Sequence, residues 1–106
     1  MNNFLLVYTG GGMPESEEEQ AVVMKAWGDW FETLGEKLVD GGNPTGPDAK
    51  TINSDGSVVG GPDGKMATGY SILKAESFDE ALTLAKGSPM LDGGGNITLY
   101  EIFPAM

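Results

Sequence analysis

Any proton chemistry in this chain has to proceed without histidine, cysteine or arginine, none of which occurs among its 106 residues. The usual base near neutral pH is therefore missing, as are thiolate nucleophiles and thiolate metal ligands. The guanidinium fork that clamps carboxylates and phosphates is missing too. Asp, Glu, Tyr, Lys and Ser/Thr remain. Among these, Asp40 stands out by its context in "KLVDGGNPTGP", where an apolar run meets a glycine pair. A turn residue that bonds nearby backbone N–H groups is one reading of it. Against that reading, an anion at the end of a helix meets the negative pole of the dipole, which costs roughly 0.3–1 kcal/mol. Glycine alone would stop the helix, so the carboxylate is free for another task, and a general acid or base is the second reading.

Trp27, Trp30 and Tyr70 each pair an aromatic body with one polar atom, and Ser71 adds a hydroxyl beside Tyr70. Such residues serve as pocket walls and donors or as large core residues whose polar atom finds an internal partner. The glycine clusters do not make a phosphate loop. In "GPDGKMA", Met66 stands where Ser or Thr is needed, and "TGGG" lacks the continuation of a dinucleotide fingerprint. "DGGNPTGPD" and "NSDGS" offer oxygen atoms, but neither follows the ligand order of an EF-hand. Without imidazole or thiolate ligands no tightly bound transition metal is expected, and no cofactor is implied.

The formal net charge is −10, and all the cations are lysines. Nucleic-acid binding requires a cationic surface to displace phosphate counterions, so that class is excluded. An anionic membrane surface would repel the chain as well. The start "MNNFLLVYTGGG" has no basic segment and only a short apolar run from Phe4 to Tyr8, too little for a signal peptide or a membrane span. A cytoplasmic protein with one domain over residues 1–106 is expected.

The elements that must position these residues follow from periodicity. Phe4 to Tyr8 is apolar on both alternating faces and predicts a buried strand. Ser16 and Glu19 form a capping box, and Val23, Trp27, Trp30, Phe31, Leu34 and Leu38 make the apolar stripe of a helix predicted over Glu17 to Val39. Gly28 and Gly35 lie within it, where small residues beside two tryptophans would allow close packing on a sheet. "NSDGS" predicts a turn between short extended runs, Lys50 to Asn53 and Ser57 to Val59. "MATGYSILKA" predicts a strand with Tyr70 and Ile72 on one face and Ser71 and Leu73 on the other. A second helix begins at the Ser77/Glu80 capping box and closes at Gly87 and Pro89, and "NITLYEIFP" predicts the last strand. This order is that of a split βαβ, a ferredoxin-like α+β sandwich with an antiparallel sheet and two helices on one face. Strands apolar on both faces imply that something also covers the second face, and a second copy of the same sheet would do so.

The segments "AWGDWFETLGEKLVDGGNPTGP", "GYSILKAESFDEALTLAKGSP" and "NITLYEIFPAM" resemble the YCII-related family over nearly the whole chain. The resemblance rests on Trp27-Gly28-x-Trp30, Leu38-Val39-Asp40-Gly41-Gly42-x-Pro44 and Gly69-Tyr70-Ser71-Ile72 taken together. It implies a dimeric α/β barrel, in which ferredoxin-like domains pair sheet to sheet as a homodimer. It also implies a cleft beside the first helix with "LVDGG" at its edge, where partial burial and the helix dipole would favour the protonated form of Asp40. Trp27 and Tyr70 are expected across that cleft, with Trp30 and Ser71 also in the ligand pocket. The chain departs from the family in two places. A histidine that some members carry on the first helix would fall near Val23 or Met24 and is missing, and "GGPD" keeps only Gly61 and Pro62 of an Asp-Gly-Pro-Phe motif. Histidine-dependent chemistry is thus not carried over. Two functions follow as expectations: a small-molecule site with lyase- or isomerase-type chemistry, or a non-catalytic homodimeric interaction or regulatory module. An enclosed, partly polar cavity near Asp40 would favour the first, and a filled core the second.

Overall fold

A computed structural model describes residues 1–104. Strand β1 (Asn2–Thr9) leads through a glycine loop into helix α1 (Glu17–Leu34). The Ser16 side chain accepts the Glu19 N–H at 3.1 Å, so the N-cap half of the expected capping box forms. Glu17, Glu18 and Glu19 occupy the first turn, at the positive pole of the dipole.

The helix ends earlier than its apolar stripe suggests. Gly35 takes φ 55°, a left-handed value that glycine adopts without a Cβ penalty, and its N–H returns to the Phe31 carbonyl. A 3-10 turn over Gly35–Lys37 follows, and Leu38–Asp40 then form strand β2. The expected helix to Val39 is therefore corrected. Leu38 still packs against the core, but from a strand. Gly28 is corrected too, because a Cβ there would meet nothing within 4 Å, so it does not mediate close packing.

After β2 come the short hairpin strands β3 (Lys50–Ile52) and β4 (Val58–Gly60), then β5 (Ala67–Ala75), α2 (Phe78–Ala85), a single-turn helix α3 (Pro89–Asp92) that the sequence reading did not anticipate, and β6 (Asn96–Ile102). The main sheet has the order β2-β5-β1-β6 and is antiparallel throughout, with β3 and β4 forming a separate two-stranded sheet. This is the ferredoxin-like α+β arrangement, with β2 as the strand that completes the first split βαβ unit. The hairpin is an insertion between β2 and β5, and its Ile52, Val58 and Val59 are exposed. A compact chain of this length has a radius of gyration near 13 Å. The value here is 15.2 Å, with one dimension of only 18 Å.

The core lies between the helices and one sheet face. Alternation along β1 buries Phe4, Leu6 and Tyr8, and β5 adds Leu73 and Ala75. Trp30 and Leu34 come from α1, and Ala81 and Ala85 from α2. The Trp30 indole N–H donates to the Leu84 carbonyl at 3.1 Å and ties the two helices together. A Lys37–Glu80 ion pair of 2.8 Å joins the segment after α1 to α2 at the surface. On the opposite face Leu5 sits between Ile72 and Tyr100 in register, and Val7 between Tyr70 and Thr98. Tyr100 there is 55% exposed and Ile102 37%. No helix among the described residues is long and apolar enough to cross a membrane.

Candidate functional site

A cleft of about 280 Å³ opens between α1 and the β2/β5 end of the sheet. Helix α1 supplies Met24, Trp27 and Phe31, and the sheet supplies Tyr8, Thr68, Gly69 and Tyr70. The segment Gly41–Pro44 closes one side, and Met90 of α3 another. Residues 24, 27 and 31 fall on one helical face at three- and four-residue steps, so the same periodicity that builds the core also builds this wall.

The loop side is built on backbone. Gly42 has φ 74°, and a Cβ there would overlap the Tyr70 carbonyl oxygen. Only glycine lets the chain pass β5 this closely. The Tyr70 N–H donates to the Asn43 carbonyl at 3.3 Å, and the Thr45 N–H to the Thr68 carbonyl at 3.1 Å. Pro44 and Gly69 form an isolated bridge. At Gly69 a Cβ would lie 3.2 Å from the Asn43 oxygen and 3.4 Å from the Tyr8 ring, so a side chain would crowd both.

Three aromatic rings, Tyr8, Trp27 and Phe31, form the interior wall, with Trp30 behind them in the core. Tyr8 meets Trp27 edge-to-face at 5.3 Å between centroids, and Trp27 contacts Trp30 at 5.7 Å and Phe31 at 5.8 Å. Such contacts add stability beyond the area they bury and hold the rings in fixed orientations.

A hydroxyl chain runs beneath the cleft. The Tyr8 phenol donates to the Ser71 hydroxyl at 2.7 Å, and Ser71 donates onward to the Gly41 carbonyl at 2.8 Å. Ser88, which is buried and caps α3, lies beside the phenol. Burial pushes the Tyr8 pKa above its ordinary 10.0, and the Ser71 and Ser88 hydroxyls offset part of that rise. The phenol thus stays protonated at neutral pH as a hydrogen-bonding group. Among the described residues, no Asp, Glu or Lys lines this cleft.

The residues expected from sequence separate into three groups. Trp27 and Tyr70 do line one cleft together. Ser71 lies under the wall and Trp30 in the core, each with its polar atom satisfied internally. Asp40 is exposed on β2, and its Oδ1 accepts the Gly42 N–H at 2.8 Å. It is the residue before the cleft wall rather than part of it, and because α1 ends at Leu34 it is not at a helix C-terminus.

Tyr8 is the residue that sequence reasoning passed over. Its signal was legible: on a strand face otherwise made of Phe4 and Leu6 it carries a hydroxyl that must find a partner when buried. Asn43, Thr68 and Met90 carried no comparable signal, since loop closure brings them to the cleft.

No family model and no curated protein matches the chain. Among solved structures, 5-chloro-2-hydroxyhydroquinone dehydrochlorinase (TftG) from Burkholderia phenoliruptrix AC1100, in complex with 2,5-dihydroxybenzoquinone, is similar with a TM-score of 0.57 at 22% identity. The likeness covers 97% of this chain and 95% of that one, so it extends over the whole ferredoxin-like α+β fold.

Proposed function

We propose that this chain is a YCII-related domain that binds a small, neutral, ring-sized molecule in the cleft between α1 and β5, and that it works as a homodimer in the cytoplasm. The observation that carries the reading is the cleft itself: about 280 Å³, walled by the rings of Trp27, Phe31 and Tyr8, with no charged side chain in its lining. An apolar concavity with a few fixed polar groups is the usual form of a small-molecule site. With neither lysine nor arginine in the wall, a carboxylate or phosphate would have no cationic partner to replace its water. The structural relative of similar fold was captured with a single oxygenated ring, which supports the same ligand size.

Lyase- or isomerase-type chemistry here would draw on two groups. The Tyr8 phenol would have to turn its proton away from Ser71 and into the cleft to stabilise charge developing on a ring oxygen. Asp40 is the acid at the rim, next in sequence to the wall residues Gly41 and Gly42. The second reading, a non-catalytic dimeric module, is favoured by the uncovered apolar sheet face around Leu5, Tyr100 and Ile102.

Calorimetric titration with phenol and benzoate tests the binding reading. Phenol should bind with millimolar or better affinity and benzoate should not. Met24→Trp, at an exposed wall position on α1, should block phenol without unfolding the chain. Absence of phenol binding, or unchanged binding in Met24→Trp, would overturn the proposal.

A further inference from the structure

A second cleft of about 520 Å³ lies beside the first. The loop from Gly10 to Pro14 and the α1 residues Val22, Val23 and Ala26 line it, and Pro44, Thr68 and Met90 line both spaces. Met90 is seated in a slot that exists because positions 11 and 95 have no side chain. A Cβ on Gly11 would come within 2.9 Å of the Met90 sulfur, and one on Gly95 would overlap it. An unbranched thioether changes rotamer at low cost, so a residue held this way can yield to a ligand.

We infer that the two clefts form one elongated site, in which the first compartment takes the ring and the second takes an apolar, uncharged substituent on it, with Met90 setting the width of the passage. The inference rests on the ring-binding reading above and extends it to the shape and charge of the ligand. Two observations beyond the shared walls carry it. Met13 and Val22 are 55% and 69% exposed, large apolar side chains with no covering in the chain, and both line the second cleft. Its lining contains one charged residue, Asp92, and no lysine. In a chain of net charge −10, an anionic substituent would meet repulsion there and find no cation. A short alkyl group would instead gain contact with Met13, Val22 and Val23.

The test compares phenol with 4-pentylphenol by calorimetry on the full chain. Burial of about two of the five alkyl carbons is enough to tighten binding about tenfold, so 4-pentylphenol should bind at least about tenfold more tightly than phenol. Val23→Trp, at a half-buried position lining only the second cleft, should remove that advantage while leaving phenol affinity within about twofold. Met90→Ala should strengthen 4-pentylphenol relative to phenol by widening the passage. Equal affinity of the two probes for the unmodified chain, or a Val23→Trp effect equal on both, would overturn the elongated site and leave the ring site standing. Failure of both probes to bind would overturn the ring site, and the extension with it.

Discussion

The Tyr8 phenol and the Ser71 hydroxyl meet at 2.7 Å across the β1–β5 pair, on the sheet face that packs against the helices. Tyr8 lies opposite Gly69 in register, so Ser71 is its diagonal neighbour, and the absence of a side chain at 69 leaves room for the ring. Through Ser71 the contact reaches the Gly41 carbonyl, and thereby joins the sheet interior to the cleft wall.

Replacing Tyr8 by Phe tests that junction. The ring contacts survive, but the hydroxyl chain loses its first donor, and the buried Ser71 loses a partner. A loss of about 1–3 kcal/mol is expected in urea unfolding at neutral pH. The alkaline limb carries a second signature. The folded-state pKa of Tyr8 is raised, so its contribution is fully present below the unfolded value near 10.0 and is lost as pH rises through the folded value. The stability gap between the native chain and Tyr8→Phe should therefore shrink above about pH 10. A gap that stays constant into that range would show that the phenol is not buried as described.

Two glycines make opposite predictions. At Gly42, Ala would have to adopt φ 74° and overlap the Tyr70 carbonyl oxygen. The left-handed conformation costs roughly 1–2 kcal/mol and overpacking a further 1–3 kcal/mol, so Gly42→Ala should lower the thermal midpoint clearly. Gly28 lies in the interior of α1 with open space at its Cβ, so Gly28→Ala should stabilise the chain by up to about 1 kcal/mol. Thermal melts of the two variants decide the matter, and a destabilised Gly28→Ala would mean that the space is occupied in solution.

The contrast explains what the sequence could and could not convey. Strand alternation placed Phe4, Leu6 and Tyr8 on one face, and the Ser16 and Ser77 caps were readable from spacing alone, because these are local rules. The end of α1 was not readable in the same way. Leu38 continues the helical stripe and also suits a strand, and only pairing with Leu73 decides between them. That ambiguity carried over to Asp40, whose argument from the helix dipole lapses once β2 replaces the last helical turn. Within the cleft, Trp27 and Tyr70 were legible as amphipathic aromatics. The wall formed by Gly41–Pro44 was not, since it depends on a backbone approach between segments about 27 residues apart in the chain.

Asp40 itself can be separated into its charge and its turn. Asparagine keeps an Oδ1 able to accept the Gly42 N–H, whereas alanine removes it. Asp40→Asn should leave stability and phenol binding nearly unchanged, and Asp40→Ala should weaken both modestly by loosening the turn beside the cleft wall. If a turnover assay is found, Asp40→Asn should abolish turnover with binding intact, provided the carboxylate moves a proton. Full turnover in Asp40→Asn would restrict this residue to the turn.

The uncovered sheet face makes the last prediction. Along β1, β5 and β6 the outward positions carry Leu5, Val7, Tyr70, Ile72, Tyr100 and Ile102, with Asn3, Thr98 and Lys74 among them and no carboxylate. The chain has 16 acidic residues and a net charge of −10, so two copies repel over most orientations. Apart from Asp40 at the β2 edge, this face is where they can approach with few opposing like charges, and it offers the apolar area that a stable interface needs, on the order of 1,000 Å² in total. Light scattering at micromolar concentration should give the mass of a dimer. Tyr100→Glu, at an exposed position on the edge strand β6 beside Leu5, should give a monomer with a far-UV spectrum like that of the native chain, because the side chain lies outside the core. A native chain that remains monomeric at that concentration would overturn sheet-to-sheet pairing, and a Tyr100→Glu variant that stays dimeric would move the interface to another surface.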